Sequence, residues 1–122
     1  MKPCILIVDD DLNVVKQLKW TFHDHYEVIH ALTLTEVDAA LISRQPVVAL
    51  IDMHLPPTLQ SPKTGMDVVR HLHGTHPDLH LIGISVSQDP DIPNALKDAG
   101  ASFFLQKPFT SDSLKALMAQ MV

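Results

Sequence analysis

The sequence predicts an α/β fold, a doubly wound (βα)5 sandwich built on one five-stranded parallel sheet. Three observations carry that expectation. Short apolar runs alternate five times with segments of helical periodicity, and such alternation implies parallel strands joined by right-handed crossovers. The runs are nearly continuous rather than alternately apolar and polar, as strands covered on both faces require. The 122 residues, 46% hydrophobic and 19% charged, suit one domain around one core and argue against disorder. A strand order of 2-1-3-4-5 is the common solution for five strands, and it sets the first and third side by side.

The elements follow in order. Cys4–Val8 is the first strand. Leu12, Val15, Leu18 and Phe22 recur at helical spacing and give an amphipathic helix, which Asp10 or Asp11 is placed to cap at the positive end of its dipole. Tyr26–His30 is a short second strand. Thr33-Leu34-Thr35-Glu36 has capping-box spacing and opens a second helix through Ile42, and Pro46 stops that region before the third strand, Val47–Ile51. A third helix runs from about Gly65 to Leu72, burying Val68, Val69 and Leu72, and is ended by Gly74 and Pro77. Leu79–Ile84 is the fourth strand. Asp89, Pro90 and Pro93 give a late start to a short fourth helix that ends at Ala99 with Gly100 as its C-cap. Ser102–Leu105 is the fifth strand, and Leu114, Leu117, Met118 and Met121 line one face of a last helix that Thr110 can cap.

Four strands run into residues able to handle a phosphoryl group: Asp9-Asp10-Asp11 after the first, Asp52 after the third, Ser85 after the fourth, and Gln106-Lys107-Pro108 after the fifth. In an open parallel sheet, ligands collect outside the carboxyl ends of the strands. Neighbouring strands would therefore bring three carboxylates, a hydroxyl and an ammonium to one edge. Clustered carboxylates repel and call for a divalent cation; with one bound, a carboxylate can attack phosphorus while a lysine and a serine hold the phosphoryl oxygens. Asp-Asp before a helix would by itself be a cap, and Lys-Pro a strand-end turn; the joint register of all five residues is what points to chemistry.

Composition narrows the function classes. The net charge of −5 and nine scattered Lys and Arg residues give this domain no basis for direct nucleic-acid binding. No apolar run approaches the ~20 residues that span a bilayer. Met1-Lys2-Pro3 enters a strand at once, so no signal peptide is expected, and the lone Cys4, read as a buried small hydrophobe, allows no internal disulfide. A cytoplasmic location with no membrane contact is the expectation.

Ile5-Leu6-Ile7-Val8-Asp9-Asp10-Asp11, Ile51-Asp52 with Leu55-Pro56, Ser85, and Gly100-Ala101 through Phe104-Leu105-Gln106-Lys107-Pro108-Phe109 together resemble the receiver domain of two-component response regulators. The resemblance spans essentially the whole chain, residues 1–122, and implies a flavodoxin-like, chemotaxis-regulator-like module. It implies Asp52 as the phosphoacceptor, supplied by a phosphohistidine on a histidine kinase or histidine phosphotransfer protein. It implies Mg²⁺ as cofactor, ligated by Asp10 directly, by Asp9 largely through water, by Asp52 and by the backbone carbonyl of His54. It implies Ser85 as the hydroxyl that bonds the new phosphoryl group, Lys107 as its neutralising cation, and a cis Lys107–Pro108 bond that aims the lysine. Phe104 matches the switch aromatic that turns inward when Ser85 moves. The face of helix four, strand five and helix five becomes the readout surface and the site of a homodimer, although a shortened helix four weighs against that dimer. On this view the domain is a signalling switch, not an enzyme, catalysing only its own phosphorylation and autodephosphorylation. The alternatives are a phosphate-independent interaction module on the same fold and a Mg²⁺-dependent phosphohydrolase with an aspartyl intermediate; against the latter, the position two past Asp52 holds His54.

Several positions depart from the family pattern or invite other readings. The loop from Pro57 to Thr64 is longer than the family form by about five residues and reads as a tolerated surface insertion. Val86 stands where the family has a small residue, and its branching is expected to slow both phosphorylation by small donors and autodephosphorylation. His54 and Ser87 sit where the family tunes attack by water. His71 and His73 do not share a helix face, so the eight histidines read as scattered rather than as a zinc site. Trp20 lies off the apolar face of the first helix and is expected to be half-exposed.

Overall fold

The computed structural model describes residues 2–53, 65–86, 89–107 and 109–120, and its ten elements alternate strictly. They are β1 (Cys4–Val8), α1 (Leu12–Phe22), β2 (Glu27–Ala31), α2 (Leu34–Arg44), β3 (Val48–Asp52), α3 (Gly65–Thr75), β4 (His80–Ser85), α4 (Asp91–Ala99), β5 (Phe103–Gln106) and α5 (Ser111–Ala119). All strand pairs are parallel and the order is β2-β1-β3-β4-β5, as predicted.

Side-chain alternation along the strands splits the core into two layers. Leu6, Val8, Ala49 and Ile51 face a layer closed by Val37 and Leu41 of α2, Val68, Val69 and Leu72 of α3, and Leu96 of α4. Ile5, Ile7, Leu50 and Ile82 face the other, closed by Val15, Leu18 and Phe22 of α1 and Leu114 and Met118 of α5. Each fully buried Leu or Ile contributes about 1.5–3 kcal/mol, so the double layer makes the sheet a rigid platform for its ends.

β2, β3, β4 and β5 each lie one residue nearer the C-terminus than the apolar runs suggested. The polar residues that close the runs still pair: Asp52 stands opposite Ile84, and Ser85 opposite Gln106. Hydrophobicity marks where a strand is buried, whereas the ladder continues until a partner is lost. Two helices also outrun their expected stops. α2 continues to Arg44, ending where Gln45 adopts a left-handed φ of 50°. α3 passes through Gly74 to Thr75; a glycine is tolerated inside a helix at modest cost, and Pro77 follows the true end.

The caps resolve one open choice. Asp11, not Asp10, caps α1, its Oδ1 accepting the Asn13 N–H at 2.9 Å. Thr33 accepts the Glu36 N–H at 3.1 Å, and the Glu36 carboxylate reaches back to the Leu32 N–H at 3.4 Å. α4 spans nine residues. Pro93 falls in its first turn, where no intrahelical N–H bond is lost, and Asp89 Oδ1 accepts the Asp91 N–H at 2.9 Å. Thr110 and Ser113 form a reciprocal capping box on α5. Trp20 is 78% exposed, well beyond the half-exposure expected, because the stripe Val14, Val15, Leu18 and Phe22 turns it fully outward; it stacks on His23 at 5.4 Å.

Candidate functional site

The residues that close β1, β3, β4 and β5 meet at the carboxyl edge of the sheet. β1 and β3 are neighbours, with Val8 opposite Ile51, so Asp9 and Asp10 emerge beside Asp52. Ligand oxygens of Asp9, Asp10 and Asp52 all lie within 4.8 Å of one another. Asp9 and Ser85 are completely buried and Asp52 nearly so, while Asp10 is exposed at the rim. Lys107 leaves the end of β5 and turns back over the cluster, with Nζ 2.9 Å from Asp9 Oδ2 and 3.7 Å from Asp52 Oδ2. Its own N–H donates to the Ser85 carbonyl at 2.8 Å, and the Met53 N–H donates to the Ile84 carbonyl at 2.8 Å, so β4 is held on both sides at its last residues.

Burial sets the electrostatics. Desolvation raises the Asp9 pKa above its ordinary value; the Asp11 N–H, which donates to Oδ1 at 2.9 Å, and the Lys107 ammonium oppose the rise without cancelling it, and the Asp52 charge adds to it. For Lys107 desolvation acts downward, but its contact with Asp9 and the charges of Asp9, Asp52 and Asp11 outweigh it, and the pKa is raised. Lys107 is therefore a firmly held ammonium.

The donor set fits a small divalent cation. It consists of carboxylate oxygens alone, the ligands that hard cations such as Mg²⁺ take. The buried Asp9 Oδ2 is met by the Lys107 ammonium at 2.9 Å, and no other donor among the described residues reaches it. One ammonium faces three clustered carboxylates, and a divalent cation would offset the charge that remains. Two carboxylates and a buried hydroxyl around one ammonium form a pocket able to take up an oxyanion beside a nucleophile.

The structure thus brings together Asp9, Asp10, Asp52, Ser85 and Lys107. The His54 carbonyl, the Lys107–Pro108 bond, Ser87 and the 57–64 insertion lie outside the described residues. Phe104 is half-buried opposite Gly83 and lines a cavity of about 430 Å³ with Pro93, Leu96 and Lys97 of α4. Val86 is exposed and borders a notch of about 400 Å³ with Asp11, Val14, Gln17, Lys107 and Phe109, at the mouth of the site.

Two contributors escaped sequence reasoning. Gly65, read only as a helix start, abuts the end of β3: a Cβ there would lie 1.9 Å from the Asp52 carbonyl oxygen. A glycine opening a helix after a polar loop was the available signal. His30 Nε2 lies 2.6 Å from the Asp9 carbonyl, a contact that depends on strand register rather than on any motif.

Residues 5–119 match the model of the response regulator receiver domain family. The chain belongs to that family. This receiver domain is 30% identical over 117 residues to the transcriptional regulatory protein KdpE of Staphylococcus aureus, covering 95% of the chain and 48% of the relative. It is 31% identical over 115 residues to the response regulator MprA of Mycobacterium tuberculosis, covering 93% and 48%. The chain thus spans about half the length of these curated relatives. Among solved structures, the CheY-like receiver domain protein of Methanospirillum hungatei superposes with a TM-score of 0.85 at 25% identity, covering 98% of this chain and 93% of that one. The BeF3-activated receiver domain of DrrB, a Thermotoga maritima protein, gives 0.84 at 25% identity, covering 99% and 97%. No helix among the described residues is long and apolar enough to cross a membrane.

Proposed function

We propose that this receiver domain is a phosphoacceptor switch, with Asp52 as the acceptor and a phosphohistidine on a histidine kinase or histidine phosphotransfer protein as the donor. The observation that carries the reading is the cluster itself: oxygens of Asp9, Asp10 and Asp52 within 4.8 Å, with the Lys107 ammonium 3.7 Å from Asp52. Asp9, Asp10, Asp52 and the His54 carbonyl would hold Mg²⁺, which when bound offsets negative charge on the phosphoryl oxygens. An Asp52 carboxylate oxygen forms a bond to phosphorus as the bond from phosphorus to the donor's imidazole nitrogen breaks. The electron pair of that bond returns to the ring, which takes up a proton. Lys107, whose Nζ lies 3.7 Å from Asp52 Oδ2, neutralises a transferred oxygen.

Phosphorylation leaves Asp52 carrying roughly −2 charge and strong acceptors. Ser85 then donates its hydroxyl to the phosphoryl group, drawing the end of β4 toward Asp52 and opening space for Phe104 to turn inward. Two populations of the α4–β5–α5 surface result, and the phosphoryl group biases them. The domain acts as a cytoplasmic switch rather than a turnover enzyme, and a homodimer through that surface is one output it could serve. Activation of the DrrB receiver by a beryllium fluoride supports the same behaviour here. Phosphorylated donor kinase with Mg²⁺ is expected to label wild type and leave Asp52→Asn unlabelled. Label that persists in Asp52→Asn, or is absent from folded wild type with every donor tried, would overturn the reading.

A further inference from the structure

We propose that His30 is a positioning residue for the cation site, holding the Asp9–Asp10 peptide so that the Asp10 carboxylate faces the metal. The inference rests on the reading that Asp9, Asp10 and Asp52 bind Mg²⁺, and goes beyond it by assigning a role to an edge-strand residue.

Strand register supplies the reach. His30 stands opposite Ile7, and Ala31 opposite Val8, so Ala31 is the last β2 residue before the level of Asp9 and His30 lies one residue further back, within reach of the Asp9 carbonyl. Tyr26 and Val28 pack on the α1 and α5 layer while Ile29 packs on the other, so His30 continues the first set on the α1 side. A hydrophobe would complete that pattern; instead a half-buried imidazole places Nε2 2.6 Å from the Asp9 carbonyl oxygen. A carbonyl only accepts, so Nε2 carries the proton and donates.

The bond matters because of what else holds the acidic turn. Asp9 is fixed through its side chain, by the Asp11 N–H on Oδ1 and by Lys107 beside Oδ2. Asp10 is different: among the described residues, no hydrogen bond or ion pair restrains its exposed carboxylate. Its direction is set by the backbone alone. The Asp9 carbonyl and the Asp10 nitrogen share one planar peptide unit. A donor that fixes the carbonyl therefore fixes the plane from which the Asp10 side chain departs. Groups that orient metal ligands from outside the coordination sphere typically alter affinity about 10–100-fold when removed.

The test uses the whole chain. Mg²⁺ affinity is measured by calorimetry and by the Mg²⁺-dependent rise in thermal midpoint for wild type, His30→Phe and His30→Gln, with circular dichroism to confirm folding. Phe keeps the ring and loses the donor; Gln places an amide N–H where Nε2 stood. The expected result is about tenfold weaker Mg²⁺ binding in His30→Phe and recovery to within about twofold of wild type in His30→Gln. Equal affinity in His30→Phe, or a His30→Gln as weak as His30→Phe, would overturn the proposal. Should His30→Phe fail to fold, ¹⁵N shifts of His30 in wild type at pH 8 decide together with His30→Gln: an Nδ1–H tautomer overturns the bond. Wild type that binds no Mg²⁺ refutes the cation site itself, an outcome distinct from failure of the His30 assignment.

Discussion

At the residue scale, Asp9 governs the pocket. It is fully buried, and its carboxyl titrates above the usual carboxylate range because desolvation outweighs the Asp11 N–H and Lys107. The sign of the pH dependence follows. A carboxyl whose folded pKa exceeds its unfolded value of 3.8 favours folding most when protonated, and that contribution is lost as pH rises from 3.8 through the folded value. Above that window the buried charge opposes folding of the metal-free protein. Asp9→Asn keeps an oxygen for the Asp11 N–H and removes the charge. It is expected to raise metal-free stability in urea unfolding at pH 7, because the desolvation of Asp9 and its repulsion from Asp52 outweigh its pairing with Lys107, with the gain shrinking on acidification toward pH 4. The same variant should lose most of the Mg²⁺-induced stabilisation. The clustering of Asp9 with Asp52, Ser85 and Lys107 was legible from the sequence, because each closes an apolar run. The burial of Asp9 and its backbone contact with His30 were not, since both depend on which residues of β1 and β2 stand opposite each other.

At the scale of elements, the helices are held by few, nameable devices. Thr110→Ala removes half of the capping box on α5 and should cost about 1 kcal/mol in chemical denaturation. Two glycines of α3 should respond in opposite directions. Gly74 has open space around its missing Cβ, so Gly74→Ala is expected to stabilise by about 0.5–1 kcal/mol. Gly65 touches the backbone of Asp52, which cannot rotate aside as a side chain can. Gly65→Ala should destabilise by about 2–3 kcal/mol and slow labelling of Asp52, as read by unfolding and by a phosphotransfer time course. The existence and type of all ten elements were readable from periodicity, and Thr33, Gly100 and Thr110 were readable as caps. The ends were less so. Apolar runs stop at the last hydrophobe, whereas Asp52 and Ser85 remain in the ladder, and Gly74 resembles a helix terminus only while its tertiary surroundings are unknown.

At the scale of the whole molecule, one sheet separates two apolar layers and gathers its chemistry at one edge. A cation bound there by the native state alone should stabilise the entire fold. Mg²⁺ at 100 times its dissociation constant is expected to add about 2.7 kcal/mol, seen as a concentration-dependent rise in thermal midpoint that a chelator reverses. The topology was legible because five strands with helical crossovers admit few arrangements, and the 2-1-3-4-5 order alone makes β1 and β3 neighbours. The amide of Lys107 grips the carbonyl of Ser85, so hydroxyl and ammonium ride on one yoke. Under the proposed switch, a tug that brought the serine inward would haul the neighbouring strand along with it through the main chain.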